Sequence, residues 1–270
     1  MDVQEIVLRL HSAWQGYGCV LLSPRAQAPV GPATIDPCLF FSALGPVPCR
    51  VACLETVLAP GEIAHRYRVL LKPAPPDGLE RFLAMLRTAG IDLDGHDVRL
   101  LPEDWTSRVL DTRGAGWRVD VDASTVGRFT YLQEVGGVAT EPPSALLDFD
   151  LGGIALAAQG GESIDALTWG GGVAHGDLFA SASAEEARYA HDVADVARLA
   201  RLLGLVEEEA RAALAAGLSL PAYAGALSCA HLATVFRTRA LVREEERSVA
   251  CGRDLARACA RAYLARETHR

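Results

Sequence analysis

Cysteine is the residue type with the widest chemical range in this chain, because a thiolate binds zinc or acts as a nucleophile. The seven cysteines are Cys19, Cys38, Cys49, Cys53, Cys229, Cys251 and Cys259. A structural zinc site requires tighter pairs than these, with companion Cys or His ligands. We therefore expect buried thiols and no bound metal. The odd and scattered set is typical of a reduced, cytoplasmic protein.

Histidine and glycine patterns indicate no further catalytic motif. The seven histidines contain no i, i+4 pair, and no Ser, His and acid constellation stands out. Gly170, Gly171 and Gly172 form a run, but it lacks the Lys and Ser/Thr that follow the glycines of a P-loop. The run is interpreted as a loop.

Composition limits the classes of partner. The chain has 270 residues, 50% of them apolar, which is enough for one large or two small cores. Its net charge is −8. Because phosphate contact depends on clustered cations, this charge argues against direct binding of nucleic acid. No signal peptide or long apolar run is present, so neither secretion nor a membrane partner is expected.

Hydrophobic periodicity predicts two domains, 1–180 and 181–270. The first opens with an amphipathic helix that has Ile6, Leu10 and Trp14 on one face. Strand-like runs follow at about 65–72, 97–101, 117–122, 128–135 and 145–151, with a helix at about 78–89. Strands in succession with segregated helices predict an α+β fold with an antiparallel sheet.

The second predicted domain is an all-helical bundle, since its sequence is rich in Ala, Leu, Arg and Glu. Ser183 followed by Glu186 is typical of a capping box at a helix start. Gly204 and Gly217 are expected helix stops, and Pro221 an expected start. The apolar stripes of these helices are interpreted as core, although a groove for a second subunit would show the same pattern.

One block of sequence carries a family signature. FTYLQEVGG, Phe129 to Gly137, closely resembles a block of the α subunit of bacterial heterotetrameric glycyl-tRNA synthetase. The resemblance continues in the same order through ALGPVPCRVA at 43–52, HGDLF at 175–179 and RDLARACARAYLA at 253–265. It implies the class II aminoacyl-tRNA synthetase fold, with an antiparallel sheet flanked by helices and a C-terminal helical bundle.

Two elements that handle ATP in this family are altered. Where the family has Gly-Leu-Glu-Arg, whose arginine meets ATP, this chain has Asp150-Leu151-Gly152-Gly153. The family also has a long, arginine-rich motif 2 hairpin, and here the corresponding segment, Cys53 to Ala64, is short and holds no arginine. Adenylate formation needs fixed cations around the phosphates, for which arginine is suited. Replacing Gly153 with arginine would return one such cation.

Charged candidates for ligand contact lie on two strand-like segments. Arg66 and Arg68 follow the shortened hairpin and could replace the lost cations. Arg118 and Asp120 stand where the family has Glu and Trp, so an acid has become a base and a large ring has become an acid. If these positions line the pocket, the small-amino-acid site has been rebuilt; if they face water, the change costs little.

Uncharged candidates have ordinary structural alternatives. Thr34 matches a family threonine before the motif 1 proline, here Pro37, which the resemblance places at a dimer interface. The alternative for Thr34 is a turn residue. Thr130 and Gln133 are retained from the family strand, and the alternative for both is a half-buried polar position.

Three functions stay open. The favoured one is a paralogue without glycine activation that acts as a binding, regulatory or scaffold protein, with no catalytic residue and no cofactor. The second is a repurposed protein that binds or transfers an amino acid or aminoacyl group. The third is a working glycine-tRNA ligase α subunit, and only this function requires ATP and Mg²⁺. A homodimer is expected, and a second protein subunit is a further candidate partner through which any tRNA contact would be made.

Overall fold

A computed structural model describes residues 1–24, 31, 33–122 and 124–267, and a sheet of seven strands forms the centre of this part of the chain. The strands are β1 Val20–Leu22, β2 Cys49–Ala59, β3 Glu62–Lys72, β4 Val98–Ser107, β5 Thr112–Val121, β6 Ser124–Val135 and β7 Val138–Asp150. Their order in the sheet is β1-β2-β3-β7-β6-β5-β4. β1 is parallel to β2, and the other neighbours are antiparallel. The predicted α+β fold is confirmed.

Within the described residues, eight α-helices surround the sheet. They are α1 Val3–Gly16, α2 Pro37–Ala43, α3 Gly78–Thr88, α4 Leu151–Gln159, α5 His175–Arg188, α6 Val196–Ala215, α7 Ser219–Thr238 and α8 Val242–Glu267. A short hairpin of β8 Thr168–Gly170 and β9 Val173–Ala174 has Gly171 and Gly172 at its turn, both with positive φ. No helix within the described ranges is long and apolar enough to cross a bilayer.

Strand alternation divides the core between the two faces of the sheet. On β3, Tyr67, Val69 and Leu71 belong to the cluster that packs against α1, α3 and α4. Leu70 points to the opposite face and joins a second cluster, built largely by α2, α7 and α8. In a strand, successive side chains point to opposite faces. Arg66 and Arg68 therefore share the second face with Leu70.

Two predicted helix boundaries are wrong. Ser183 lies inside α5, which begins at His175, where Asp177 accepts a hydrogen bond of 3.2 Å from the backbone N–H of Ala174. Gly204 lies inside α6, because the buried stripe that includes Leu199 and Leu203 outweighs the cost of about 1 kcal/mol for a helical glycine. Gly217, with φ +76°, follows the end of α6 as predicted.

The C-terminal helices pack directly on the sheet. The Tyr223 hydroxyl on α7 donates a hydrogen bond of 2.8 Å to the carbonyl of Ile35, and its ring lies 4.3 Å from that of Phe40 on α2. The predicted C-terminal helical region is present. The proposed boundary between residues 180 and 181 falls inside α5, and the division into two domains stays a prediction.

Candidate functional site

Five charged side chains meet on the second face of the sheet, near the ends of β3 and β7. They are Glu55, Arg66, Arg68, Asp148 and Asp150, and we call them the ion-pair network. Strand register places Arg66 opposite Asp150 and Arg68 opposite Asp148. Three carboxylates thus enclose two guanidinium groups.

Arg68 is buried inside this network. Its Nη1 donates hydrogen bonds of 2.7 Å to Glu55 Oε2 and to the carbonyl oxygen of Thr34, and its Nε lies 3.3 Å from Asp148 Oδ2. The side chain is 3% exposed. Burial would lower the pKa of Arg68, but Glu55 and Asp148 outweigh it and raise that pKa. Arg68 is therefore a permanently charged structural group whose position is fixed by its contacts with carboxylates.

Arg66 is held in the same way. Its Nη2 lies 3.1 Å from Asp150 Oδ2, and its Nη1 lies 3.6 Å from Asp148 Oδ1. Burial acts to raise the pKa of Asp148, yet Arg68, Arg66 and Arg128 outweigh it, and the pKa is lowered. Asp148 is consequently an ionised partner shared by both β3 arginines.

The row of charges continues across the neighbouring strands. Arg118 on β5 contacts Asp120 at 3.1 Å, and Thr125 donates a hydrogen bond of 2.8 Å to the same carboxylate. Arg128 on β6 donates a hydrogen bond of 2.8 Å to Glu103 on β4. The two changes from the family, an acid to Arg118 and a large ring to Asp120, therefore create an ion pair within β5.

Of the remaining predicted site residues, Thr130 and Thr34 lie beside the charged residues, and Gln133 lies apart from them. Thr130 lies on the same face as Arg128 and is buried. Thr34 is buried, and its hydroxyl bonds the backbone of Gly31, so it acts as the turn residue of the alternative interpretation. Gln133 is exposed and lines a separate depression with residues such as Pro73 and Glu141. Arg66, Arg68, Arg118, Asp120 and Thr130 share a face, and Gln133 does not join them.

Helix α4 begins where β7 ends, and its first turn has no room for an added side chain at Gly153. A Cβ on that residue would lie 2.9 Å from the carbonyl carbon of Thr125 and closer still to its oxygen. The N–H of Gly153 instead bonds Asp150 Oδ1 at 3.1 Å. The helix terminus that could receive an anion is thus capped by the chain's own carboxylate.

The residues of this face do not fit a nucleoside triphosphate. Both β3 arginines are committed to carboxylates, and the ion-pair network holds three carboxyl groups for two guanidinium groups. Position 153 lacks the space for an arginine. A polyanion would have to displace carboxylates from buried guanidinium groups, and a buried charge left without its partner is strongly unfavourable.

A cleft of about 740 Å³ lies beside the network, at the same end of the sheet. We call it the end cleft. The turn between β2 and β3, the first turn of α4, the segment 163–167 and α5 form its walls. Its aromatic part contains His65, Trp169 and His175, and Phe179 packs against all three rings.

Sequence reasoning missed the end cleft. His65 and His175 are far apart in the chain and meet only because α5 packs over the β2–β3 hairpin, where their ring centroids lie 5.8 Å apart. No local spacing indicates such a pair.

Within the described residues, no group of three or more His, Cys, Asp or Glu side chains is arranged to hold a metal ion. The cysteines are free thiols, and Cys19, Cys53, Cys229, Cys251 and Cys259 are buried.

Solved structures resemble this chain at low identity. The crystal structure of pyrrolysyl-tRNA synthetase from Desulfitobacterium hafniense aligns at 13% identity with a TM-score of 0.44, covering 64% of this chain and 75% of that chain. A structure of PylSc, a pyrrolysyl tRNA synthetase from the same organism, aligns at 13% identity with a TM-score of 0.43, covering 64% and 72%.

A family profile matches far more of the chain. The profile described as glycyl-tRNA synthetase alpha subunit aligns with residues 3–268. It spans the sheet, α4 and the C-terminal helices. The chain therefore belongs to the glycyl-tRNA synthetase alpha subunit family, which confirms the resemblance and the class II type of fold that it implied.

Proposed function

We propose that this chain is a member of the family that does not form glycyl-adenylate and acts as a binding, regulatory or scaffold protein. The observation that carries the proposal is the enclosure of Arg66 and Arg68 by three carboxylates. These two arginines follow the shortened hairpin and are the candidates to replace the cations lost from it and from α4. Both are already paired within the fold.

The chemistry of adenylate formation explains why paired arginines would not suffice. Negative charge develops on the phosphoryl oxygens during the reaction, and fixed cations must meet it there. Loss of one such cation costs about 10³- to 10⁵-fold in rate in phosphoryl-transfer enzymes. Arg68 would have to abandon Glu55 and Asp148 to take part, which would leave buried carboxylates unpaired.

A binding role is favoured by the end cleft. Its volume of about 740 Å³ is that of a small-molecule site, and its polar groups lie among apolar and aromatic side chains. We therefore expect the chain to retain the fold of the family and to bind its ligand in the end cleft.

Assembly is part of the proposal. We expect a cytoplasmic homodimer, formed through the segment around Pro37 and residues 43–48, with a second protein subunit as a further candidate partner. Pro37 itself is buried in its own chain, at the start of α2. Nearby apolar side chains are exposed, Val20 by 59% and Val47 by 62%, and they supply a surface that a second copy could cover.

Pyrophosphate exchange tests the proposal. Purified chain, with glycine, Mg-ATP and labelled pyrophosphate, should give exchange at background, both alone and with the second subunit of an active glycyl-tRNA synthetase added. An active synthetase of the family, assayed in parallel, provides the positive control. Glycine-dependent exchange above background that is lost in Arg66→Met would show that this arginine is catalytic and would refute the proposal.

A further inference from the structure

The end cleft contains two buried imidazoles with unused hydrogen-bonding atoms. His65 is 8% exposed and His175 is 6% exposed. His65 Nε2 and His175 Nδ1 are buried and make no hydrogen bond to a described atom, and the nearest carboxylate oxygen to His175 Nδ1 is Asp165 Oδ1, at 3.7 Å. A buried polar atom without a partner is unfavourable, so these nitrogens are suited to receive a ligand group. Both histidines line the end cleft.

The charges around the end cleft are of one sign. Glu62, Asp150 and Asp165 are its charged side chains, and no Lys or Arg occurs among the described residues that line it. Asp150 is already paired with Arg66, which leaves Glu62 and Asp165 to face a ligand. The two histidines add no positive charge near neutral pH, because burial lowers the pKa of His65 to about 4 and also lowers that of His175. An anionic ligand would meet no cation there.

The first turn of α4 does not reverse this preference. A helix N-terminus attracts anions through its free N–H groups. Here the Asp150 carboxylate occupies that position and accepts the hydrogen bond from the Gly153 N–H. A phosphate or carboxylate would have to displace this cap.

Aromatic rings complete the recognition surface. The centroid of the Trp169 ring lies 4.6 Å from that of His65 and 4.9 Å from that of Phe179. Trp faces attract cations as well as apolar groups. A neutral imidazole nitrogen accepts a hydrogen bond from an ammonium group.

We propose that the end cleft binds a primary ammonium ligand with an apolar body. The apolar body would lie against Trp169, and the ammonium group would donate to the unpaired imidazole nitrogens and face the carboxylates of Asp165 and Glu62. This ligand class is independent of whether the chain activates glycine. ATP binding and amine binding are measured separately, so either proposal can fail alone.

A matched set of small probes tests the charge preference by titration calorimetry. The cationic probes are 2-phenylethylammonium and n-hexylammonium, the neutral probe is 2-phenylethanol, and the anionic probe is 3-phenylpropanoate. We expect saturable binding of at least one amine, about tenfold or more tighter than the neutral probe, and no binding of the anion. Equal affinity for the neutral or anionic probe, or no saturable amine binding up to about 20 mM, would overturn the proposal.

Substitutions at two glycines test whether the amine binds in the end cleft. A Cβ on Gly152 meets only ordinary contacts, 3.4 Å from Asp150 Oδ1 and 3.6 Å from Ile164, and Gly152 lines the end cleft. Gly152→Leu should therefore fill the cleft and weaken amine binding about tenfold or more. Gly204, with nothing within 4 Å of its added Cβ, is the matched helical control, and Gly204→Leu should leave the affinity unchanged. Equal binding by both variants would place the amine elsewhere and refute the site.

A charge variant keeps the test decisive if Gly152→Leu lowers stability. The side chain of Asp165 is 68% exposed, so Asp165→Asn should fold normally and weaken amine binding about three- to tenfold. Asp104 is exposed on β4 and lies outside the cleft, so Asp104→Asn is the control and should leave the amine affinity unchanged. Amine affinity that is unchanged in Asp165→Asn would contradict the proposed recognition.

Discussion

Gly153 in α4 and Thr125 in β6 touch without an intervening side chain. A Cβ on Gly153 would lie 2.9 Å from the carbonyl carbon of Thr125, and closer still to its oxygen. The expectation that an arginine at residue 153 would return a phosphate cation therefore meets a steric barrier. The helix would have to move away from the strand before any side chain could be accommodated.

Adjacent glycines in α4 should respond in opposite ways to the same substitution. Gly153→Ala is expected to lower the free energy of unfolding by about 1 to 3 kcal/mol, because it overpacks the contact with Thr125. Gly152→Ala should be neutral or stabilise by up to about 1 kcal/mol, since alanine is the better helix former and has room. Denaturant unfolding of both variants measures this. A Gly153→Ala protein as stable as the parent would show that α4 does not pack as described.

The buried arginine should matter far more to stability than a surface arginine. Arg68→Met leaves Glu55 and Asp148 buried without their partner, and we expect a loss of about 3 to 5 kcal/mol. The control is Arg113→Met, because Arg113 is 59% exposed and pairs with Glu134 at the surface, where solvent screens an ion pair and the change should affect stability little. Denaturant unfolding compares the two. A loss below about 1 kcal/mol for Arg68→Met would mean that Arg68 is available for other contacts.

The outline of the fold was predictable, but the pairing of its charges was not. Ile6, Leu10 and Trp14 repeat at helical spacing, and all three are buried in α1. In contrast, the contact between Glu55 and Arg68 depends on the register of β2 against β3. The two arginines are evident in the sequence, but the carboxylates that the sheet places beside them are not.

The end cleft was also not predictable from the sequence, because its residues are distant in the chain. His65 lies on a strand and His175 begins a helix, and only the packing of α5 brings them together. The capping pattern at Ser183 also placed the start of this helix too late. Local signals describe one element at a time, whereas the site forms between elements.

Protonation of His65 should make the fold sensitive to acid. Burial first, and His175 second, lower its pKa from the ordinary value of 6.5 to about 4. The unfolded chain therefore takes up this proton at a higher pH than the folded chain does. The contribution of neutral His65 to the free energy of unfolding is fully present above pH 6.5 and is lost as the pH falls towards 4.

Replacing His65 should reduce this acid sensitivity. Between about pH 6.5 and pH 4, His65→Phe should lower the slope of stability against pH by up to about 1.4 kcal/mol per pH unit. The slope is measured by denaturant unfolding at several pH values. His191→Gln, at an exposed position, is the control and should keep the parent slope. An identical slope in His65→Phe would mean that His65 is not the titrating group.

Homodimer formation should depend on the exposed apolar residue of the 43–48 segment. Val47 is 62% exposed, and Val47→Asp should convert the expected dimer to a monomer, because it introduces a charge into an apolar interface. Val242 is 65% exposed on α8, and Val242→Asp should leave the dimer intact. Light scattering at micromolar concentration reports the mass. A monomeric parent protein would contradict the proposed assembly.

Calorimetric titration of the intact chain with Mg-ATP tests the central claim most directly. Because carboxylates occupy Arg66 and Arg68, and residue 153 has no room for a cation, we predict no saturable heat up to about 5 mM nucleotide. An active glycyl-tRNA synthetase serves as the positive control under the same conditions. A dissociation constant in the micromolar range for this chain would show that the phosphate site survives, and would contradict the account.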